Sequence, residues 1–230
     1  MKGVGNIICL CILCILVLLF LYVNKRDNKN RWCILLTTCV NRKSHTQEQR
    51  EKLLSIYRRS ISDWLTKTTL PICVVDSSSY DFSEFANTRL IILSFTCDEI
   101  ESSTISESIS ILYALNNCKQ ITKYETIIKI TGRYYIPDIT WALHSIISNY
   151  DLYLQRTTSS NFQNSEVFGF KRTLGKDIFT PLADKTDTSL METRIWKINN
   201  TNKYTSYVLP YLRNIYKVPR GGDNQIIDPL

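Results

Sequence analysis

Four short runs, "CILLTTCV", "ICVVD", "RLIILSF" and "TIIKIT", are apolar almost without interruption. A strand with one wet face alternates polar and apolar side chains; a strand covered on both faces does not. Between these runs lie segments of helical period. Leu53, Tyr57, Ile61 and Trp64 recur at helical spacing behind Thr46 and Gln49, which have the spacing of a capping box. Residues 104–118 form a second helical pattern, with Ile105, Ile109 and Leu112 on one side. Buried strands separated by helices specify an α/β fold, a mostly parallel sheet flanked by helices. A helix opened by Pro137-Asp138 is expected to point Ile139, Leu143, Ile146 and Ile147 inward. "DLYLQ" and "EVFGF" read as two further strands, and 189–199 as a last helix with Met191, Ile195 and Ile198 in register.

Ligands of such sheets bind beyond the carboxyl ends of the strands. That rule selects residues 37–41, 76–79, 96–98 and 129–133. The last of these carries the sharpest anomaly. In "YETIIKITGRYYIPD", residues 124–138, an extended chain puts Lys129, Thr131 and Arg133 on one face and Ile128 and Ile130 on the other. A strand centre tolerates a lysine only if something partners it.

The N-terminus obeys different rules. Residues 7–23 are 17 residues without a charge, just enough to span a hydrocarbon core as one N-terminal transmembrane helix. A cleaved signal peptide is the competing reading, but the small-residue cleavage site is missing. The chain therefore divides into a membrane anchor at 1–23, a basic linker at 24–31 and a domain at 32–230. Lys25, Arg26, Lys29 and Arg31 follow the anchor, which by the positive-inside rule places the domain on the cytoplasmic side. A sequon at Asn199-Asn200-Thr201 points the other way.

Of the 8 cysteines, Cys33, Cys39, Cys73, Cys97 and Cys118 lie beyond the anchor, mostly inside apolar runs. They read as reduced, buried small hydrophobes. With 2 histidines and no CxxC pair, no structural zinc site is expected. The net charge of +7 is scattered rather than gathered into a stripe. That argues against nucleic acid as a partner and suits a small anionic ligand or an anionic membrane surface.

The order of "CILLTTCVNR", "LPICVVDSSS", "ISESISILYAL" and "IIKITGRYYI" resembles small glycosyltransferases of the nucleotide-diphospho-sugar transferase (GT-A) fold. Many of these carry a K-[IL]-[TS]-G-R-Y strand after a helix that contains a glutamate. The later "EVFGFKR", "METRIWKI" and "GG" resemble the second half of such enzymes, so the similarity covers about residues 32–225.

The resemblance implies a nucleotide-sugar donor and a glycan or lipid-linked acceptor. In the common pattern two aspartates at the end of this strand hold a divalent metal, Mn or Mg. Here the turn reads Thr131-Gly132-Arg133, without an acid, which leaves metal use open. Arg133 and Lys129 would then neutralise the diphosphate directly, and Gly132 would admit a close backbone approach. Thr37 falls in the donor site, and Asp76 would contact the base or ribose, or else cap its own turn. Glu107 matches the family's helix glutamate, yet Thr104-x-x-Glu107 is also a capping-box spacing. Glu192 would be the catalytic base, although Ser189-x-x-Glu192 has that spacing too. Arg220, with Gly221, Gly222 and Asp223, would close over phosphates or belong to a mobile tail. A non-catalytic glycan-binding or assembly module on a degenerate transferase fold is the rival function.

Overall fold

A computed structural model of the chain describes residues 13, 15, 31–42, 44–85, 87–97, 103–157, 161–187, 189–210 and 212. The chain divides into two compact units, Met1–Arg31 and Trp32–Leu230. Apart from Leu13 and Ile15, which are helical, the expected anchor lies outside the described residues. Among the described residues no helix is long and apolar enough to cross a membrane. Asp98 and Arg220 to Asp223 also lie outside them.

The second unit is built on one seven-stranded sheet in the order β3-β2-β1-β4-β6-β5-β7. Its strands are β1 (Trp32–Thr38), β2 (Ile72–Asp76), β3 (Leu90–Ser94), β4 (Thr126–Thr131), β5 (Leu152–Leu154), β6 (Val167–Lys171) and β7 (Ser206–Val208). Strands β1 to β4 pair in parallel, whereas β6 is antiparallel to both β4 and β5. The helices are α1 (Gln47–Lys67), α2 (Ser103–Asn117), α3 (Ile139–His144), α4 (Gly175–Leu182) and α5 (Met191–Asn199).

The missing alternation has its cause in two cores. Ile34, Leu36, Ile72, Val74, Ile128 and Ile130 pack on one face with Tyr57, Ile61 and Trp64 of α1. Cys33, Leu35, Cys73, Val75 and Ile127 pack on the other with Ile111 of α2, Phe179 of α4 and Ile195 of α5. Cys33, Cys73 and Cys118 are free buried thiols, as expected of small hydrophobes, and Cys39 and Cys97 are free and half-buried.

The capping box of α1 forms as expected: Thr46 Oγ1 accepts from Gln49 N and Gln49 Oε1 from Thr46 N. The other two do not. Helix α5 has Leu190 at its N-cap with no side-chain cap, because Ser189 turns its N–H and hydroxyl to Asp187. Glu107 turns its carboxylate to the sheet. The buried face of α2 is Thr104, Ile105, Ser108, Ser110, Ile111 and Ala114, rotated from the expected Ile109 and Leu112 stripe. Small residues on that face suit a helix lying against β1, β2 and α4. Ile147 is 95 % exposed rather than inward, because α3 stops at His144 and its period ends there. Helix α4 and strand β7 were not expected. Helix α4 begins at a glycine and contains Pro181, both signals against a helix, yet a Cβ at Gly175 would sit 2.8 Å from the Phe170 ring.

Candidate functional site

A cleft of about 750 Å³ opens at the carboxyl ends of β1, β2 and β4. That volume suits a nucleotide-sized ligand. Thr37, Thr38, Cys39 and Asn41 line it after β1, Ser77 and Ser78 after β2, and Thr131 and Arg133 after β4. Thr96 and Cys97 add a wall beyond β3, Ser103, Thr104, Ser106 and Glu107 the first turns of α2, and Glu192 the first turn of α5. Parallel strand direction alone selects this end of the sheet.

Asp76 is fully buried, and its carboxylate faces inward. Oδ1 accepts from Ser78 N at 2.7 Å, Ser78 Oγ at 2.6 Å and Tyr80 N at 3.1 Å. Oδ2 accepts from Thr38 Oγ1 at 2.9 Å and Val40 N at 3.1 Å. It therefore ties the loop after β1 to the loop after β2 beneath the cleft floor. Ser78 passes the constraint on, since its hydroxyl oxygen also accepts from Asn41 N at 2.8 Å.

Lys129 and Arg133 do not share the expected strand face, because β4 ends at Thr131 and Arg133 falls in the turn that follows. Lys129 is 2 % exposed, and its Nζ lies 2.6 Å from Glu107 Oε1. It also donates to the Ser165 carbonyl at 2.7 Å and to Thr131 Oγ1 at 3.3 Å. Three N–H groups on an ammonium meet three acceptors, so none remains for a ligand. Thr37 Oγ1 donates to the same Glu107 oxygen at 2.9 Å, which joins β1, α2 and β4 through one carboxylate.

Arg133 comes after the last ladder residue and is half-buried in the cleft wall. It makes no ion pair among the described residues, and its Nε is buried without a hydrogen-bond partner there. Its guanidinium lies 5.8 Å from the Tyr134 ring centroid. Tyr57 is close by: burial pushes its phenol up to about 12, against the opposing pull of the Arg133 charge. Gly132 is needed for packing between strands. A Cβ there would meet Thr38 Cγ2 at 2.5 Å and the Thr37 carbonyl oxygen at 2.9 Å, while Gly132 N donates to that same carbonyl.

Glu192 receives the Ser165 hydroxyl on Oε1 at 2.7 Å. Ser165 and Arg42 also line the cleft and escaped the sequence reading. Ser165 sits in an irregular segment with no motif of its own. Only the antiparallel register of β4 on β6, Ile130 opposite Val167, brings it beside Thr131.

No protein-family profile matches the chain, and no curated protein matches it. Solved structures do. A protein from Desulfovibrio desulfuricans G20, provisionally described as a nucleotide-diphospho-sugar transferase, superposes with a TM-score of 0.52 at 11% identity, over 78% of this chain and 79% of its own. The inositol-1-phosphate CTP transferase of T. maritima gives 0.52 at 11%, over 78% and 84%. A cytidylyltransferase of Leptospira borgpetersenii serovar Hardjo-bovis (strain JB197) gives 0.52 at 12%, over 78% and 76%. The chain has a nucleotide-diphospho-sugar transferase-like fold.

For a divalent metal, the described residues do not assemble a protein site. No group of three or more His, Cys, Asp or Glu is placed to hold an ion among them. Both oxygens of Asp76 are taken by its five donors, and Oε1 of Glu107 by Lys129 and Thr37.

Proposed function

We propose that the chain is a glycosyltransferase that takes a nucleotide-sugar donor in this cleft and passes the sugar to a glycan or lipid-linked acceptor. The observation that carries the reading is Arg133, a half-buried cation without an ion pair among the described residues, lining the same cleft as Glu192. The acceptor hydroxyl gives its proton to Glu192 as its oxygen bonds to the anomeric carbon. The bond from that carbon to the diphosphate breaks, and nucleoside diphosphate leaves with its charge met by Arg133. Thr37 and Thr131 line the wall, and Gly132 lets β4 close on β1 behind it. Asp76 and Lys129 hold the wall from behind rather than touching donor, and Glu107 lines it with Oε1 tied to Lys129 and Thr37. Arg220 is kept as a residue that closes over the phosphates. Residues 7–23 anchor the enzyme, with the domain on the cytoplasmic side. Protease protection of intact vesicles tests that placement, and glycan addition at Asn199 refutes it.

A second reading, nucleotidyl transfer, is favoured by the fold shared with two cytidylyl-transferring proteins. The products separate the two. Sugar transfer releases nucleoside diphosphate from a nucleotide sugar; nucleotidyl transfer releases pyrophosphate from a nucleoside triphosphate and a sugar phosphate. The purified chain should give the first, in an acceptor-dependent manner. Arg133→Met should weaken nucleoside-diphosphate binding by roughly 10- to 150-fold, the loss of one charge-assisted contact. Nucleotide binding without either product would leave the non-catalytic module.

A further inference from the structure

Lys129 lies between Ile128 and Ile130 in the middle of the sheet. The recess that holds it is lined by Ile111, Phe168, Phe179 and Met191. Burying an ammonium and a carboxylate there gains folding little, since an apolar pair of similar volume commonly serves as well or better. What an apolar pair cannot do is grip polar groups on two other segments of the chain. Lys129 holds Glu107 of α2 at 2.6 Å and the Ser165 carbonyl at 2.7 Å. The Ser165 hydroxyl in turn holds Glu192 of α5 at 2.7 Å. The segment is pinned on either side as well: Thr131 N donates to the Glu166 carbonyl at 2.9 Å, and Gln163 N to the Glu192 carbonyl at 3.2 Å.

We propose that Lys129 is a positioning residue, whose buried ammonium fixes Ser165 and through it the orientation of the Glu192 carboxylate. The inference rests on the reading of Glu192 as the acceptor's base. With Oε1 held by Ser165, the other oxygen has one direction in which to receive a proton. Without Lys129 the Ser165 carbonyl loses its donor, and the segment keeps only the backbone bonds of Gln163 and Glu166, neither of which holds Ser165 itself.

The test separates this from a purely structural ion pair. Lys129→Met strands the Glu107 carboxylate and lowers the melting temperature. Lys129→Met with Glu107→Gln removes that stranded charge and still leaves an acceptor for Thr37. The double variant recovers most of the lost melting temperature, but its kcat stays down roughly 10- to 100-fold, the scale of a misplaced catalytic group. Donor KM stays within about two-fold, because Arg133 is untouched. Ser165→Ala, which deletes a single hydroxyl, gives the same split between kcat and KM. Adding Glu192→Gln to either variant lowers kcat little further, as expected of groups acting in series.

A double variant with both melting temperature and kcat restored overturns the proposal. So does a Ser165→Ala variant with normal kcat. If Glu192→Gln alone leaves turnover unchanged, the base assignment fails separately. The relay is then decided by the crystal structure of the double variant, where a Ser165 hydroxyl still within hydrogen-bond distance of Glu192 refutes it.

Discussion

Asp76 separates two accounts of the cleft. As a ligand group it would contact a nucleoside; as a brace it holds the floor on which the nucleoside rests. Asp76→Asn decides between them. The amide replaces one acceptor oxygen by a donor. On the Oδ1 side it would face the backbone N–H groups of Ser78 and Tyr80. On the Oδ2 side it would face only Val40 N–H and the Thr38 hydroxyl, which can turn to the Val75 carbonyl at 3.3 Å. The amide therefore settles on the second side and orphans one buried N–H. A lost charge-assisted bond and an unsatisfied backbone donor together cost about 3–5 kcal/mol. With a urea slope of about 2 kcal/mol/M, the unfolding midpoint falls by roughly 2 M. Binding of nucleoside to the folded fraction should change far less than stability. A variant as stable as the wild type that no longer binds nucleoside would refute the brace and make Asp76 a ligand contact.

Three further outcomes follow from the same geometry. Gly132→Ala drives a methyl against Thr38 and the Thr37 carbonyl and should destabilise by about 1–3 kcal/mol, equally with and without nucleotide in a melting experiment. Burial raises the Cys39 thiol above its usual range, so its alkylation, followed by peptide mass spectrometry, should be slow near neutral pH, accelerate as pH rises, and be blocked by bound nucleotide. Asp151 accepts from Thr205 N and Oγ1 and from Lys171, and those bonds, the Thr205 backbone foremost, hold its carboxyl below the usual range. Its contribution is complete above the ordinary carboxylate range and disappears as pH falls through the lowered value. The melting-temperature gap between wild type and Asp151→Asn should therefore be present at neutral pH and close in acid.

How far such a site can be read from a sequence depends on which contacts are local. The cleft's position was legible because it follows from strand direction, and apolar runs between helices reveal that direction. The three capping-box spacings show where legibility ends. Thr46 with Gln49 forms its box on an exposed helix end, where no distant partner competes. Thr104 with Glu107 and Ser189 with Glu192 have the same local chemistry, yet both glutamates go elsewhere. Their partners, Lys129 and Ser165, arrive from 22 and 27 residues away, delivered by the register of β4 on β1 and on β6. A local rule cannot weigh a competitor that only the sheet brings in.

The pair Lys129 and Arg133 carries the same lesson further. Period two puts Lys129 and Thr131 on one face, but β4 ends at Thr131 and the rule does not reach Arg133. Lys129, two residues inside the ladder's end, lies opposite Leu35 and Phe168 and must spend every N–H on the protein. Arg133, two residues past it, has left the ladder and turns into the cleft. Four residues along the chain thus separate a cation that builds the wall from one placed to meet a ligand. The boundary between them is Gly132, whose N–H still bonds to β1 and whose missing Cβ lets the chain turn there.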